Sequence, residues 1–436
     1  MTSKNNLDLN FQVNYTIYCN KLKHYKSVKY NNMNQNYAKS FKPDSKFHKI
    51  SVVGGGLTGA FMTLLLKKSN LFDNKEIAWI KPKVNIENDF RTSFYNNKNI
   101  ELLKKLSVLQ DIPDKDITSV RQIHVFSKKK TSPLIWESSD KNNQLGAIIK
   151  NNTVLNILNK QLLDTVQYND FVTNTQFNDF ERILYLKDKK SIKSHLVLSA
   201  DGKNSNLRKL SSIKVMIKKN NHMAISGFLR QSKKHNFIAK QVFSKLGPIG
   251  ILPYKDNDIV NFVLSIEKNK AENILLKKIP EQSICDELNG FFSHLELTFS
   301  PIDKIDTITN SLSKWPLELN VVSNPTANRL ILVGDSAHSI HPLAGQGFNL
   351  SIEDCISSIN AIKNSLKFGN DLGDLNILKD YKKDRLPKTL AMTSMTDFLF
   401  YGFTSDSDFL QSVLSTGMKV VDKSKFKNIF KYIAGS

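Results

Sequence analysis

The chain is short of cysteine, of acidic residues and of uninterrupted apolar sequence. Its three cysteines (Cys19, Cys285, Cys355) are too few and too scattered for a disulfide framework or a metal cluster, so they read as free thiols in a reducing compartment. The longest apolar stretches, such as Ile50 to Leu66, are broken by glycines, and no run of about 18 or more apolar residues reads as a membrane span. Asp and Glu number 40 against 62 Lys and Arg, a net charge of +22. Only part of that excess sits in residues 1–50, where nine lysines face Asp8 and Asp44. It reads either as a Lys/Asn-rich composition spread over solvated faces or as an affinity for anionic cofactors or an anionic membrane surface. Nucleic acid is a poor fit, because no basic patch is interleaved with base-stacking aromatics in a recognisable module. There is no internal repeat, no catalytic triad and no paired-carboxylate constellation.

What is present is enough for two or more subdomains: 436 residues, 40% of them hydrophobic. Residues 1–46 contain neither glycine nor arginine and show no apolar periodicity. They read as a disordered leader or as an over-long gene start with initiation at Met33 or later, a targeting segment being a third option. From Lys49 the pattern is strand (Ile50 to Val53), glycine turn, helix (Leu57 to Lys68), strand (Ile77 to Ile80). A helix is expected around Ile100 to Leu109 and another near Thr153 to Leu163. Gln122 to Phe126 and Leu134 to Glu137 read as a hairpin leaving the first subdomain. Strands are expected at Arg182 to Leu186 and His195 to Ser199, and residues 222–325 read as mostly strand with a helix at Glu281 to His294. From Ile352 onward the chain reads as helical. The fold expected is α/β: a Rossmann-like dinucleotide-binding domain with an interleaved β-sheet substrate domain and a C-terminal helical region. Its segments are a leader (1–46), the binding domain in three parts (47–118, 141–215 and 326–365), joining strands (119–140), a substrate domain (216–325) and C-terminal helices (366–436).

Two glycine-bearing turns carry the chemistry. Gly54-x-Gly56-x-x-Gly59 follows a strand and opens a helix; Gly54 permits the turn, Gly56 lets backbone approach a pyrophosphate, and Gly59 lets the helix pack on the strand. Leu57 and Thr58 begin that helix. The run Arg329 to Asp354 reads as strand, Gly334-Asp335 turn, a loop ending in glycines, and a helix beginning near Phe348–Asn349. It offers the Asp335 carboxylate to a polyol, and backbone N–H groups from Gly345 to Phe348 to an anionic group at a helix N-terminus. Together the turns describe a pocket for a long ligand with a diphosphate at one end and an electron-accepting ring at the other, most simply FAD. Pro342, Gly345, Gln346 and Gly347 would lie along the ring edge, where the helix pole stabilises the charge that develops on reduction. Asp201, Gly202, Ser205 and Arg208 end the strand Leu196 to Ala200 and belong beside the cofactor, as does Arg91 of Asp89-Phe-Arg-Thr92. Gly247-Pro-Ile-Gly-Ile-Leu-Pro253 reads as a bent strand at a sheet edge or rim, forming a substrate-pocket wall. His338 and His341 are spaced i, i+3 without a third ligand, so His338 is expected to pack or hydrogen-bond in its loop. One partner is missing. Where an acid normally binds the adenosine ribose, at the end of the second strand, stands Lys81, with Glu87 and Asp89 further on.

These residues, in this order, resemble the class A flavoprotein monooxygenases, the group that includes para-hydroxybenzoate hydroxylase, and within it the ubiquinone-biosynthesis aromatic-ring hydroxylases. The resemblance runs from Lys49 to Ser436 and rests also on Leu145 to Asn152, on Ile340-His-Pro-Leu-Ala-Gly-Gln-Gly347, on Tyr381-x-x-x-Arg385, on Thr396-Asp-x-Leu399 and on Ala434-Gly435. It implies FAD, NAD(P)H and O2, with a flavin C4a-hydroperoxide transferring oxygen to the ring of a polyprenylated phenol. Only one dinucleotide-type turn is present, as in a family whose nicotinamide cofactor has no Rossmann domain of its own. A lipid-borne substrate implies peripheral membrane contact from the cytoplasm, or from the matrix side of the inner membrane in a eukaryote, and a place in a quinone-biosynthesis complex. The lysines 419, 423, 427 and 431, with an apolar stripe at Phe426, Ile429, Phe430 and Ile433, read either as a terminal helix packed on the core or as the docking surface. The alternatives are a flavoprotein of the same fold acting on another aromatic substrate, and a non-catalytic flavin-binding subunit of that complex.

Overall fold

The computed structural model describes residues 45–82, 91–126, 133–138, 144–302, 304–305, 308–309, 312–340 and 347–404. Residues 1–44 of the expected leader, the 341–346 loop with His341, Pro342, Gly345 and Gln346, the acids Glu87 and Asp89, and the lysine stripe beyond residue 418 lie outside them, whereas the last two leader positions, Ser45 and Lys46, belong to the first strand.

The described residues open with β1 (Ser45–Val53), α1 (Leu57–Lys68) and β2 (Ile77–Ile80), at the expected bounds of helix and second strand. β3 (Thr92–Asn96), α2 (Asn97–Lys105), β4 (Ile117–Val120), β5 (Gln122–Phe126), β6 (Leu134–Glu137), β7 (Gly146–Lys150) and α3 (Asn151–Gln161) follow. Next come β8 (Val166–Tyr168), β9 (Val172–Phe177), β10 (Arg182–Leu186), β11 (Ser191–Ser199) and the short α4 (Asn206–Leu210). β12 (Val215–Gln231), β13 (Ile238–Phe243), β14 (Pro248–Tyr254) and β15 (Ile259–Glu267) lead to α5 (Lys268–Leu275) and α6 (Pro280–Phe292). Then β16 (Phe299–Pro301), the small pair β17 (Lys304–Ile305) and β18 (Ile308–Thr309), β19 (Ser313–Val322), β20 (Thr326–Ala327), β21 (Leu330–Leu332), β22 (His338–Ser339), α7 (Gly347–Lys367) and α8 (Leu375–Thr404) complete the described chain.

Three sheets organise these elements. The first runs β20-β21-β11-β1-β2-β8, with β21, β11, β1, β2 and β8 parallel and the β9–β10 pair antiparallel beside β11. A parallel sheet is covered on both faces, so its strands read as continuous apolar runs rather than alternating ones; Ile50, Val52, Ile77, Trp79 and Leu198 are all fully buried. The second, nine-stranded sheet runs β22-β19-β12-β15-β14-β13-β5-β6 with β16 beside β12. One of its faces is closed by α5 and α6 through Ala271, Ile274, Ile284, Leu288, Phe291 and Phe292. The other packs on a three-stranded sheet, β3-β7-β4: Phe94, Val120 and Ile148 meet Ile123, Ala239, Phe243 and Leu252.

Three sequence expectations change. Gly247–Pro253 is not at an edge, since β14 pairs with β13 on one side and β15 on the other. Its prolines are tolerated because Pro248 opens the strand and Pro253 lies beyond Ile251, where pairing with β13 ends. β3 and β7 were not expected: Thr92 to Asn96 is a short run without clear alternation, and its strand is made by pairing with β7, from Thr92 opposite Lys150 to Asn96 opposite Gly146. α5 likewise interrupts a segment expected to be mostly strand.

α7 and α8 are locked to the first sheet through one buried carboxylate. Asp354 Oδ2 accepts from the Gly334 N–H at 2.9 Å and faces His338 Nε2 at 2.6 Å, while Asp354 Oδ1 accepts from Arg385 Nε at 2.7 Å. Arg385 also reaches Glu353 Oε2 at 2.8 Å, and the Tyr381 hydroxyl donates to Leu332 O at 2.8 Å. Burial alone would push the Asp354 carboxyl up; His338, Arg385 and the Gly334 N–H outweigh it and hold the group below its usual value. Because Arg385 is itself buried, Arg385→Met leaves Asp354 short of charge compensation and is expected to destabilise the fold by about 3–5 kcal/mol in urea unfolding. A carboxylate depressed in the folded state contributes stability that is complete above its unfolded value near pH 4 and is lost as pH falls through the folded one. Asp354→Asn should therefore make the acid limb of stability against pH shallower, by up to about 1.4 kcal/mol per pH unit; an unchanged limb would show that Asp354 does not titrate with folding.

Candidate cofactor site

Three loops converge at the carboxyl ends of β1, β11 and β21, where an open α/β sheet places its ligands. The first is the turn between β1 and α1. Gly54 has φ +134°, and a Cβ there would collide with Ala200 O; a Cβ on Gly59 would collide with Gly54 O. Both glycines are thus required by close backbone approach within the protein. Gly56 differs, since a Cβ at that position would meet nothing within 4 Å. It is the N-cap of α1 and makes no side-chain cap, and the first turn carries no acid. The leading N–H groups of α1, from Leu57, Thr58 and Gly59, therefore face outward at the positive pole of the helix. The turn is held from below by Gly54 N–H to Ile80 O at 2.9 Å and by Trp79 Nε1–H to Gly54 O at 2.8 Å.

The second loop follows β11. Asp201 Oδ2 accepts from the N–H groups of Asn206 (2.8 Å) and Leu207 (3.2 Å), and its Oδ1 accepts from the Ser199 hydroxyl at 2.6 Å. Ser205 caps the Arg208 N–H at 3.0 Å. The buried Arg208 guanidinium donates to Lys203 O at 2.6 Å and Ser336 O at 2.7 Å, tying this loop to the next. Asp201 and Arg208 are thus committed to protein, and what the segment turns outward is backbone: Gly202 has φ +81° and open space where a Cβ would stand.

The third loop is the Gly334-Asp335 turn. Gly334 adopts φ +61°, and a Cβ on it would come within 2.9 Å of both the Thr58 Cγ2 and the Ser351 Oγ atoms. The two glycine turns, some 280 residues apart in sequence, therefore touch. Asp335 is solvent-exposed, yet surrounding protein raises its carboxyl pKa; burial is the largest influence, with Asp354 adding to it and His338, Arg91 and Lys203 opposing it. Asp335 thus presents its carboxylate to solvent beside the charges of His338, Arg91, Lys203 and Asp354. Among the described residues none donates a hydrogen bond to the Asp335 carboxylate. Arg91 is also exposed and close enough to act on Asp335 electrostatically.

Beyond the loop that carries Pro342, Gly345 and Gln346, α7 starts at Gly347, where a Cβ would again meet open space. Its first turn is pinned to the β3–α2 corner. Phe348 packs edge-on against Tyr95 and Phe61, with ring centroids 5.4 and 6.3 Å apart. The Asn349 amide accepts from Asn96 N–H (3.2 Å) and Asn99 Nδ2 (2.7 Å) and donates to Phe94 O (2.7 Å). The structure thus brings together Gly54, Gly56, Leu57, Thr58, Gly59, Gly334 and Asp335, joins Asp201, Gly202 and Arg208 to them, and adds Arg91 by its field. His338 hydrogen-bonds Asp354 rather than a metal, and among the described residues no cluster of three or more His, Cys, Asp or Glu is placed to hold one.

Sequence reasoning passed over two residues. Lys203 lies inside the Ala-Asp-Gly-Lys run and acts on Asp335, its Nζ donating to Pro316 O at 3.0 Å. Asp354 closes the second glycine motif, and its spacing from His338 and Arg385 gave no local sign that the three would meet.

These features fit FAD. An outward backbone turn at a helix N-terminus suits a diphosphate, and an unengaged carboxylate in a cleft suits the hydroxyls of a ribityl chain. Comparison with known proteins agrees. The ubiquinone biosynthesis monooxygenase COQ6, mitochondrial, of Dictyostelium discoideum is 24% identical over 447 residues, spanning 88% of this chain and 90% of that protein. The crystal structure of p-nitrophenol 4-monooxygenase PnpA from Pseudomonas putida superposes with a TM-score of 0.66 at 15% identity, over 89% of this chain and 97% of that one. A variant of HpxO from Klebsiella pneumoniae complexed with FAD gives a TM-score of 0.67 at 14% identity, over 89% and 98%. At such identities the solved structures establish the fold. The model of the family described as FAD binding domain matches residues 48–396. With that match running from β1 into α8, across all three loops of the cleft, the chain belongs to the FAD-binding domain family.

Proposed function

We propose that this protein is an FAD-dependent monooxygenase that hydroxylates the aromatic ring of a polyprenylated phenol in ubiquinone biosynthesis, with NAD(P)H as reductant and O2 as oxygen source. The observation that carries the flavin part is the exposed Asp335 carboxylate, without a protein donor among the described residues, on a turn whose Gly334 abuts Thr58 at the α1 N-terminus. The pathway rests on the similarity to the monooxygenase relatives, whose coverage is nearly end to end.

Bound FAD supplies the redox chemistry, namely two-electron reduction by NAD(P)H and activation of O2. The protein's share is to bind, orient and exclude water. The N–H groups of Leu57, Thr58 and Gly59 bind the diphosphate, and Asp335 accepts from a ribityl hydroxyl. The N-terminus of α7 at Gly347, Phe348 and Asn349 turns its positive pole to the ring edge; since the Asn349 amide is engaged, the contribution there comes from main chain. Pro342, Gly345 and Gln346 complete that edge in this reading, and Arg91 balances negative charge near Asp335. The face of the nine-stranded sheet turned toward the three-stranded sheet, which includes β14, forms the wall that shields the reacting ring from water; Thr92 Oγ1 to Asn261 Oδ1, at 3.2 Å, joins the two sheets there.

A polyprenyl tail keeps the substrate in lipid, so the enzyme works at a membrane surface, on the matrix side where it serves mitochondria, and within reach of the other quinone-biosynthesis enzymes. Among the described residues no helix is long and apolar enough to cross a membrane.

Gly56→Val is expected to fold with a stability change of no more than about 1 kcal/mol, because its side chain meets no protein atom, and to lose the yellow flavin absorbance. Asp335→Ala should weaken FAD binding by about 1.5–3 kcal/mol, measured by calorimetric titration. The catalytic reading is tested by NAD(P)H oxidation with a prenylated phenol, which should yield a product one oxygen heavier by mass spectrometry. In a strain lacking the gene one non-hydroxylated quinone precursor should accumulate; an unchanged quinone profile would overturn the pathway and leave the flavin assignment standing.

A further inference from the structure

Lys81 occupies the corner where a dinucleotide turn normally places a carboxylate to accept from the adenosine ribose. β2 ends at Ile80, whose carbonyl accepts from the Gly54 N–H, and the Lys81 N–H donates to Tyr168 O at 2.9 Å, so the residue is fixed in the sheet. Its side chain starts beside the turn: Lys81 Cβ is 3.0 Å from where a Cβ on Gly55 would stand. Lys81 Nζ then lies 3.7 Å from the centre of the Trp79 ring and donates to Asn159 Oδ1, on α3, at 2.7 Å. The Trp79 indole is the same one that holds Gly54 O, so the ammonium rests on the group that shapes the turn. Burial alone depresses the lysine, and no described carboxylate is close enough to oppose it. The corner therefore offers donors, the remaining protons of the Lys81 ammonium.

A ribose hydroxyl both donates and accepts, so reversing the bond leaves neither partner unsatisfied. Given the FAD reading above, we propose that Lys81, positioned by Asn159 and Trp79, binds the adenosine ribose of FAD by donating to its hydroxyl oxygens in place of a carboxylate acceptor. A donor held by an aromatic face and an amide is pre-set in its binding geometry, which offsets part of the ordering cost of a long side chain.

The test is calorimetric titration of the full-length apoprotein with FAD and, separately, with FMN, which has no adenosine. Lys81→Met should raise the FAD dissociation constant roughly ten-fold or more, the worth of one charged hydrogen bond, and leave FMN unchanged. Lys81→Glu should restore most of the lost FAD affinity, since a carboxylate accepts from the same hydroxyls. Thermal unfolding of each apoprotein separates these effects from loss of fold. Three results would overturn the proposal: Lys81→Met binding FAD as wild type does, Lys81→Met weakening FMN as much as FAD, or Lys81→Glu binding FAD worse than Lys81→Met. The last would identify the ammonium as a counter-charge to the phosphates. Wild-type protein that takes up neither flavin would overturn the FAD reading itself.

Discussion

The Asp354 carboxylate is the constraint on which the cofactor cleft depends. It is buried, so it persists as an anion only because His338, Arg385 and the Gly334 N–H meet it together. Those partners come from the turn after β21, from β22 and from α8, while Asp354 itself rides on α7. One charge thus sets the Gly334-Asp335 turn, the start of the second sheet's last strand and the docking of two helices. Since Gly334 abuts Thr58, the same charge fixes the distance between the two glycine turns that a dinucleotide must span. Whether a buried pair of this kind adds net stability over an apolar substitute is a separate matter; its evident effect is to specify one arrangement of elements that share no sequence proximity.

The contrast between Asp354 and Asp335 shows how environment divides the work of like residues. Both are enclosed by protein and both feel His338, yet the field and hydrogen bonds at Asp354 outweigh burial, and at Asp335 they do not. Asp354 has protein donors on both oxygens and Asp335 has none among the described residues. The first is spent on the fold and the second is left for a ligand.

Much of the first sheet was legible in the sequence because its signals are local. Apolar runs of four residues, a glycine turn and a helix signal placed α1, β2 and the end of β1 to the residue, while β1 begins at Ser45, five residues before the expected Ile50. The hairpin of β5 and β6 was legible from alternation. What escaped depends on partners distant in the chain. β3 is five residues long and lacks a clear period-2 alternation; its Thr, Phe and Tyr favour a strand, and pairing with β7 makes it one. β14 reads as an edge because of its prolines, and lies inside the sheet between β13 and β15, with its pairing to β13 ending at Ile251, before Pro253. In the cleft, glycines and Asp335 could be named from spacing, whereas Lys203 and the Asp354 network could not: their meaning lies in which loops face each other.

That division also corrects what a motif residue is. Asp201, Arg208 and Asn349 stand in strings that resemble cofactor-binding fingerprints, and each side chain hydrogen-bonds to protein: a helix cap, a bridge from Lys203 O to Ser336 O through the two terminal guanidinium nitrogens, and a brace from α7 to the β3–α2 corner. The groups left facing outward are main-chain positions at Gly56, Gly202 and Gly347, together with one carboxylate. In the proposed reading the polar motif residues hold bare backbone in place, and backbone N–H groups would serve a diphosphate or a reduced ring edge without the entropy of a long side chain. A site built this way places little demand on the identity of any one ligand-facing side chain. That is how the acid expected after the second strand can be replaced by Lys81 while the turn that it borders keeps its geometry, and why the replacement should be read as a change of hydrogen-bond direction before it is read as a loss of site.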